Sequence, residues 1–374
     1  SYEKCQRLSC FLLPTLHTIS SSLCEEMGLN FTVNDAYESA MFAYMHVVAV
    51  LSILITGPTF YLLYFKSHKN SQLYRILLII VVVWTTLMDI HFGALFIPLP
   101  LFPIVGGYCI GKRSSKKKKR ISGPLCSLGL PMHFSLTIMF LIVTGVCAAI
   151  INCFLFRHQA VLPPYSTLKI SDKQFNLLCL VVYLVFETPS LAMVWAYKDT
   201  LTGEEYLMEF HPAMMWIMRK PNWVVYNTRS ATSIMILVVG FYFLLFLGFG
   251  GLVFLLIGHI FYILAKQGQH MSERTRKLQR NLTGTLVLQN CSFQFLLLGT
   301  FLGIPLGVFC VSVLTYLVPY EVNWAFFCFE LVHSIVHSGT LILTTRPYKD
   351  TVMEWLRIKK AKTTPRTATV SLMN

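Results

Sequence analysis

Acidic side chains are scarce in this 374-residue chain: 17 Asp and Glu stand against 31 Lys and Arg, and charged residues of both signs make up only 13%. A soluble globular protein carries about 25%, so the deficit excludes an ordinary solvated surface. Catalytic signatures are missing too. There is no phosphate-binding glycine loop, no G-x-S-x-G elbow and no HExxH pair, which argues against an enzyme. The 11 cysteines contain no CxxC pair and no zinc spacing, so neither a metal nor a cofactor is expected. No internal repeat appears, and an inverted repeat is what a secondary transporter would display.

What the chain does have is apolar length. Hydrophobic residues reach 55%, and they gather into seven runs: 41–65, 74–97, about 130–156, 176–197, 231–266, about 282–318 and 324–345. One crossing of the bilayer needs ~20 such residues. The second run stops at Pro98, Pro100 and Pro103, because a helix cannot continue through "PLPLFP". Runs five and six are longer than one crossing needs. They read as single helices that tilt or project, because no polar turn splits them at Gly248–Gly251 or at Pro305. The expected fold is an all-α membrane protein, a seven-transmembrane helix bundle with its N-terminus outside and its C-terminus inside. Residues 1–39 form an extracellular segment, 40–345 the bundle, and 346–374 a basic cytoplasmic tail.

The orientation follows from the basic residues, which concentrate on the cytoplasmic side of membrane proteins. In this arrangement 18 of the 31 Lys and Arg lie inside and 13 outside, and seven of those 13 belong to one block, "KRSSKKKKR". That block is the element that runs against the topology. Its flanks are membrane spans, which argues against a nuclear signal and against nucleic acid as a partner. It reads either as a solvated outer loop drawn to acidic lipid or matrix, or as a translated non-coding insert. The sequon at Asn30 is expected to be glycosylated, whereas those at Asn281 and Asn290 fall at or within the sixth run and are expected to stay unmodified. Cys147, Cys153, Cys179, Cys291, Cys310 and Cys328 lie in apolar runs and read as packing residues. Among Cys5, Cys10, Cys24, Cys109 and Cys126 one disulfide is plausible, with its pairing open.

An ionisable residue inside a span is costly and marks a candidate site. Asp89 and His91 are two apart, roughly 200° around a helix, and so face different neighbours. Glu187 precedes Pro189 in the fourth run and faces either a ligand or neighbouring hydroxyls. In the seventh run Glu330, His333 and His337 fall on one helical face. They form a polar stripe inside the bundle; "HSIVH" lacks the glutamate of a zinc site. Asp89, Glu330, His333 and His337 are the candidate ligand-binding residues, with structural packing as the alternative for each.

Several stretches resemble one family. "YRILLIIVVVWTTLMDIHFGALFIPLPLFPIVGGYCIG", "FLFRHQAV", "IFYILAKQGQHMSERTRKLQRNLTGTLVLQ" and "FELVHSIVHSGTLILTTRPYKD" are similar to the nematode serpentine chemoreceptors. Class I is the nearest, with class H as the near alternative. The resemblance covers most of residues 41–349. It implies a chemosensory G-protein-coupled receptor in sensory-neuron cilia of the plasma membrane. Such a receptor binds a small-molecule chemical stimulus and acts through a heterotrimeric G protein, with membrane lipids around it. The groups facing the G protein would be Arg157, His158, Arg274, Arg276, Lys277, Pro347, Tyr348 and Lys349. The family's "PYR" ending is here Pro347, Tyr348 and Lys349, which keeps the charge but loses the planar fork of Arg. "FRHQ" stands where a rhodopsin-like receptor would have Asp-Arg-Tyr. The rival expectations are a ligand-gated channel or secondary transporter and, more remotely, an intramembrane enzyme using His333 and His337.

Overall fold

The structure, a computed structural model, describes residues 33–66, 72–102, 104–113, 120–122, 124–230, 232–268, 299–315 and 318–357. Asn30, Asn281, Asn290, Arg274, Arg276 and Lys277 lie outside the described residues.

Span one is the helix Asp35–Phe65. It starts before the apolar run because Asn34 caps it, accepting from the Ala36 N–H at 3.2 Å, with Asp35 and Glu38 adding acidic charge to the first turn. Span two is Gln72–Ile90, followed by one π-helical turn, His91–Phe96. The chain then leaves through Ile97, held in the left-handed region at φ 47°. That conformation is costly for a β-branched residue. It persists because the Ile97 N–H donates to Phe92 O at 3.2 Å and its carbonyl accepts from Ile110 N at 3.1 Å. Spans one and two approach closely at Gly93, where a Cβ would sit 2.6 Å from that of Ala49.

Span three, Met132–Val161, is the axis of the bundle: 78% of its most apolar stretch is buried, against 22% for spans four and five. Gly145 lets the Trp84 indole press against it, since a Cβ there would meet the ring at 2.8 Å. Span four, Asp172–Trp195, opens with a capping box between Ser171 and Gln174. Span five, Ile234–Gly268, runs as one helix straight through Gly248–Gly251. The described part of span six is a π-turn, Gly299–Gly303, and a helix, Ile304–Thr315, with Pro305 tolerated in its first turn. Span seven comprises Tyr320–Glu330 and His333–Thr344. Six of these helices are long and apolar enough to cross a membrane, and the shorter sixth completes seven. A further helix, Arg346–Trp355, brings the Trp355 ring to 5.6 Å from Tyr61 of span one.

Strands appear where the helical reading expected plain connections. β1, Pro98–Pro100, pairs antiparallel with β2, Gly106–Cys109, and β2 pairs with β5, Val224–Val225, from the connection between spans four and five. β1 is an edge strand, the position in a sheet that tolerates prolines. This sheet caps one end of the bundle, hereafter the capped end. β3, Gly111–Arg113, and β4, Arg120–Ser122, form a hairpin flanking the lysine cluster, whose residues 114–119 are outside the described set. A disulfide between Cys109 and Cys126 closes the base of that hairpin, with Cα atoms 6.5 Å apart, and supplies the pairing left open by the sequence.

The cap is knitted by paired polar groups. Glu38 of span one makes an ion pair with Lys220 and accepts from the Tyr108 hydroxyl at 2.8 Å. The Lys220 ammonium also lies 5.1 Å from the Tyr108 ring and 5.7 Å from Trp216. Asp199 caps span five, accepting from Met235 N at 2.7 Å and from the Ser233 hydroxyl at 3.0 Å. His211 meets the Tyr206 hydroxyl at 3.1 Å. Burial, and secondarily the charge of Arg229, push the His211 imidazole down to about 4.

Candidate functional site

Beneath the cap lies a cavity of about 150 Å³. β1 and β2 roof it, and side chains from spans two to seven wall it. Eight phenylalanines and three methionines dominate the lining: Phe92, Phe102, Phe140, Phe186, Phe246, Phe249, Phe309 and Phe327, with Met132, Met139 and Met235. Such a lining excludes water from whatever enters and holds it by shape and dispersion. Among the described residues, three oxygen-bearing side chains line it: Thr144, Tyr242 and Glu330. Two of the three are already engaged. Thr144 donates to the Glu187 carboxylate at 2.9 Å and shares a hydrogen bond with Ser190 at 3.0 Å, while Ser190 meets the Tyr242 hydroxyl at 2.8 Å. Glu187 thus faces neighbouring hydroxyls and ties span four to span three. Glu330 is 9% exposed, and no hydrogen bond or ion pair reaches its carboxyl among the described residues.

The other candidates are elsewhere. Asp89, 2% exposed, accepts on one carboxylate oxygen from both Ser52 of span one and Ser334 of span seven, whose hydroxyls are 3.0 Å apart. Its second oxygen has no partner among the described residues. His91 faces the opposite way, with Nε2 3.0 Å from the Ser135 carbonyl of span three. Spacing put Glu330, His333 and His337 on one face; in the structure they border different spaces. Leu331 N keeps its helical bond to Phe327 O at 3.3 Å, and the ladder tightens at Val332, whose N–H donates to Phe329 O at 3.2 Å. Glu330 meets the large cavity, whereas His337 lines a separate void of about 10 Å³ with Leu78, Val81, Ile150 and Cys153. The two imidazoles stack with centroids 6.0 Å apart. Neither nitrogen of His333, nor Nδ1 of His337, has a partner among the described residues. Asp89, His333 and His337 therefore do not line the cavity; of the four candidates only Glu330 does.

Thr144 and Tyr242 went unnoticed in the sequence. A hydroxyl in the middle of "GFYFLLF" was the signal for Tyr242. At the end opposite the cap, the Arg157 guanidinium lies 4.7 Å from the Tyr74 ring centre and donates to its hydroxyl. His158 Nε2 and His259 Nδ1 are 2.8 Å apart, linking spans three and five. Tyr348 is buried, and Pro347 and Lys349 are exposed beside it. Among the described residues no group of three His, Cys, Asp or Glu is placed to hold a metal.

Comparison with known proteins places this geometry. The crystal structure of squid rhodopsin superposes with a TM-score of 0.55 at 11% identity, covering 88% of this chain and 87% of that one. At that identity the likeness concerns fold: a seven-helix bundle of the receptor type. No curated protein matches the sequence. The family described as serpentine type 7TM GPCR chemoreceptor Sri matches residues 32–352, from just before the first helix to within the last. A multi-pass membrane protein with a receptor fold and a family match over most of its length, the chain belongs to the serpentine 7TM GPCR chemoreceptor Sri family.

Proposed function

We propose that this receptor detects a small-molecule odorant or tastant in the cavity beneath the cap and passes the signal to a heterotrimeric G protein at the opposite end. It does so in the plasma membrane of a sensory neuron, at the cilium, with its N-terminus and cap outside and its C-terminus in the cytosol. The observation that carries the reading is the cavity itself: an apolar chamber of about 150 Å³ walled by spans two to seven. A ligand touching so many helices favours whichever packing of them it fits best, which is all that a population shift requires. At the other end Arg157 on Tyr74, and His158 on His259, join spans three, two and five. A shift in packing that reaches these contacts would open a surface rimmed by the basic third inner loop, including Arg274, Arg276 and Lys277, and by Pro347, Tyr348 and Lys349. The excess of Lys and Arg in the connections at that end supports the orientation. The polybasic hairpin is then an outer loop facing acidic lipid or matrix; a transcript lacking codons 112–120 would remove it from the protein.

The test is a ligand screen in cells with calcium and cyclic-nucleotide readouts, after surface delivery is confirmed with terminal tags. The N-terminal tag should be labelled on intact cells and the C-terminal tag only after permeabilisation, and glycosidase should shift a band that depends on Asn30. Filling the cavity with Val239→Phe should abolish the response without lowering surface expression. A ligand-evoked current in cells lacking usable G proteins would instead establish the channel reading.

A further inference from the structure

The cavity's polar inventory is lopsided in a way that constrains its ligand. Among the described residues its lining carries one carboxyl, Glu330, and no Lys, Arg or His. The remaining oxygen-bearing groups, Thr144 and Tyr242, are committed to Ser190 and Glu187. Burying an ionised carboxylate without a cation or donors is very costly, so the chamber suits uncharged groups. A protonated carboxyl is a hydrogen-bond donor. The complementary ligand atom is therefore a lone-pair acceptor. A ligand ammonium would have to shed its own hydration and ionise Glu330 inside an apolar chamber, where the desolvation of both charges competes with their attraction. A ligand carboxylate would meet no cation. Volume sets the size: an apolar cavity of about 150 Å³ in another protein accommodates benzene, so one ring and a short substituent fit here.

On the reading that this cavity is the ligand site, we infer that it selects neutral, single-ring-sized apolar molecules bearing one carbonyl-type acceptor, and that Glu330 binds that acceptor by donating a hydrogen bond.

The experiment measures binding directly, so it does not depend on coupling to a G protein. Full-length receptor in lipid nanodiscs is titrated with four probes of matched shape: acetophenone, cumene, 1-phenylethylamine and benzoate. Thermal shift and competition give the affinities. Wild type should prefer acetophenone over cumene by about 10-fold, the worth of one well-made buried hydrogen bond, and should bind the amine and benzoate more weakly than either. Glu330→Gln, which keeps a donor in the same place, should retain the preference for the ketone. Glu330→Met should erase it, with cumene affinity changed by less than about 3-fold. Tightest binding of 1-phenylethylamine, lost in Glu330→Gln, would overturn the inference in favour of an ion-pair site. Failure of all four probes to bind would overturn it outright. A ketone preference that follows the Gln and Met variants sustains it even if no G-protein response is found, which would refute the signalling reading alone. Should Glu330→Met fail to fold, the ranking of ketone against amine in wild type and Glu330→Gln decides.

Discussion

The cap and the seam between spans one, two and seven are both rich in buried polar groups, yet they treat them oppositely. In the cap the two buried carboxylates, Glu38 and Asp199, are both matched: Glu38 has Lys220 and Tyr108, and Asp199 has Ser233 and the start of span five. In the seam Asp89 holds two serines with one oxygen and leaves the other unmatched, while His333, His337 and Ser338 have unmatched polar atoms among the described residues. Paired groups fix one geometry, because each bond that breaks leaves a desolvated partner behind. Unpaired groups add no such cost to a rearrangement. The paired groups of the cap hold the roof of the cavity in one geometry, whereas the unmatched groups of the seam add no such cost to a shift of span seven.

Breaking the cap should have the largest effect. Lys220→Ala leaves the Glu38 carboxylate buried with its cation gone, and losing one member of such a pair costs about 3 kcal/mol or more. Thermal unfolding of the receptor in nanodiscs should fall accordingly, and the double variant Glu38→Gln with Lys220→Met should recover most of the loss. If the double variant melts no higher than Lys220→Ala, the pair is not what anchors span one to the cap. Asp199→Ala comes next. It removes the acceptor for Met235 N and Ser233, a cap worth roughly 1–2 kcal/mol, and should raise proteolytic sensitivity of residues 196–233 before it affects the rest of the chain.

The cap should also respond to acid. His211 is neutral in the fold, its affinity for a proton pushed down to about 4 by burial and then by Arg229. In the unfolded chain a histidine titrates near 6.5. The unfolded state therefore gains its proton first, so the stability that neutral His211 supports is complete above about 6.5 and is lost as pH falls from there through about 4. Melting temperatures of wild type at pH 7.5, 5.5 and 4.5 should drop more steeply than those of His211→Phe. Parallel curves would assign the acid response to other groups.

What the sequence disclosed follows the same division between long-range and local rules. The seven crossings were legible because lipid forces each backbone segment to satisfy itself, which leaves a run of ~20 apolar residues per crossing. Pro98 and Pro100 announced the end of span two. The sheet was not legible, since β2 pairs only two residues with β5 from a connection over a hundred positions away, Gly106 with Val225, and no local pattern records that. Asp89 and Glu330 stood out as carboxyls in apolar surroundings. That Glu330 alone meets the cavity did not, because helix rotation is set by packing against neighbours. The phenylalanines of the cavity were invisible for a plainer reason, as a ring facing lipid and a ring facing a ligand have the same spelling.

The smallest expected change in stability is the one that sharpens the contrast most. His337 has an unmatched Nδ1 and stands against Leu78, Val81, Ile150 and Cys153. Replacing a polar group in such surroundings by an apolar one of similar size removes a desolvation penalty without breaking a bond. His337→Leu should thus leave the melting temperature unchanged or raise it by the equivalent of about 1 kcal/mol, where a cap variant lowers it. If the seam is where span seven shifts, the same variant should alter agonist efficacy while leaving ligand affinity in the cavity within about 3-fold, because the histidine does not line that cavity. A strongly destabilised His337→Leu receptor would mean that the imidazole is bonded after all. The seam would then be as firmly fixed as the cap, and the movement that transmits occupancy would have to be sought along span five, whose apolar length is mostly exposed to lipid.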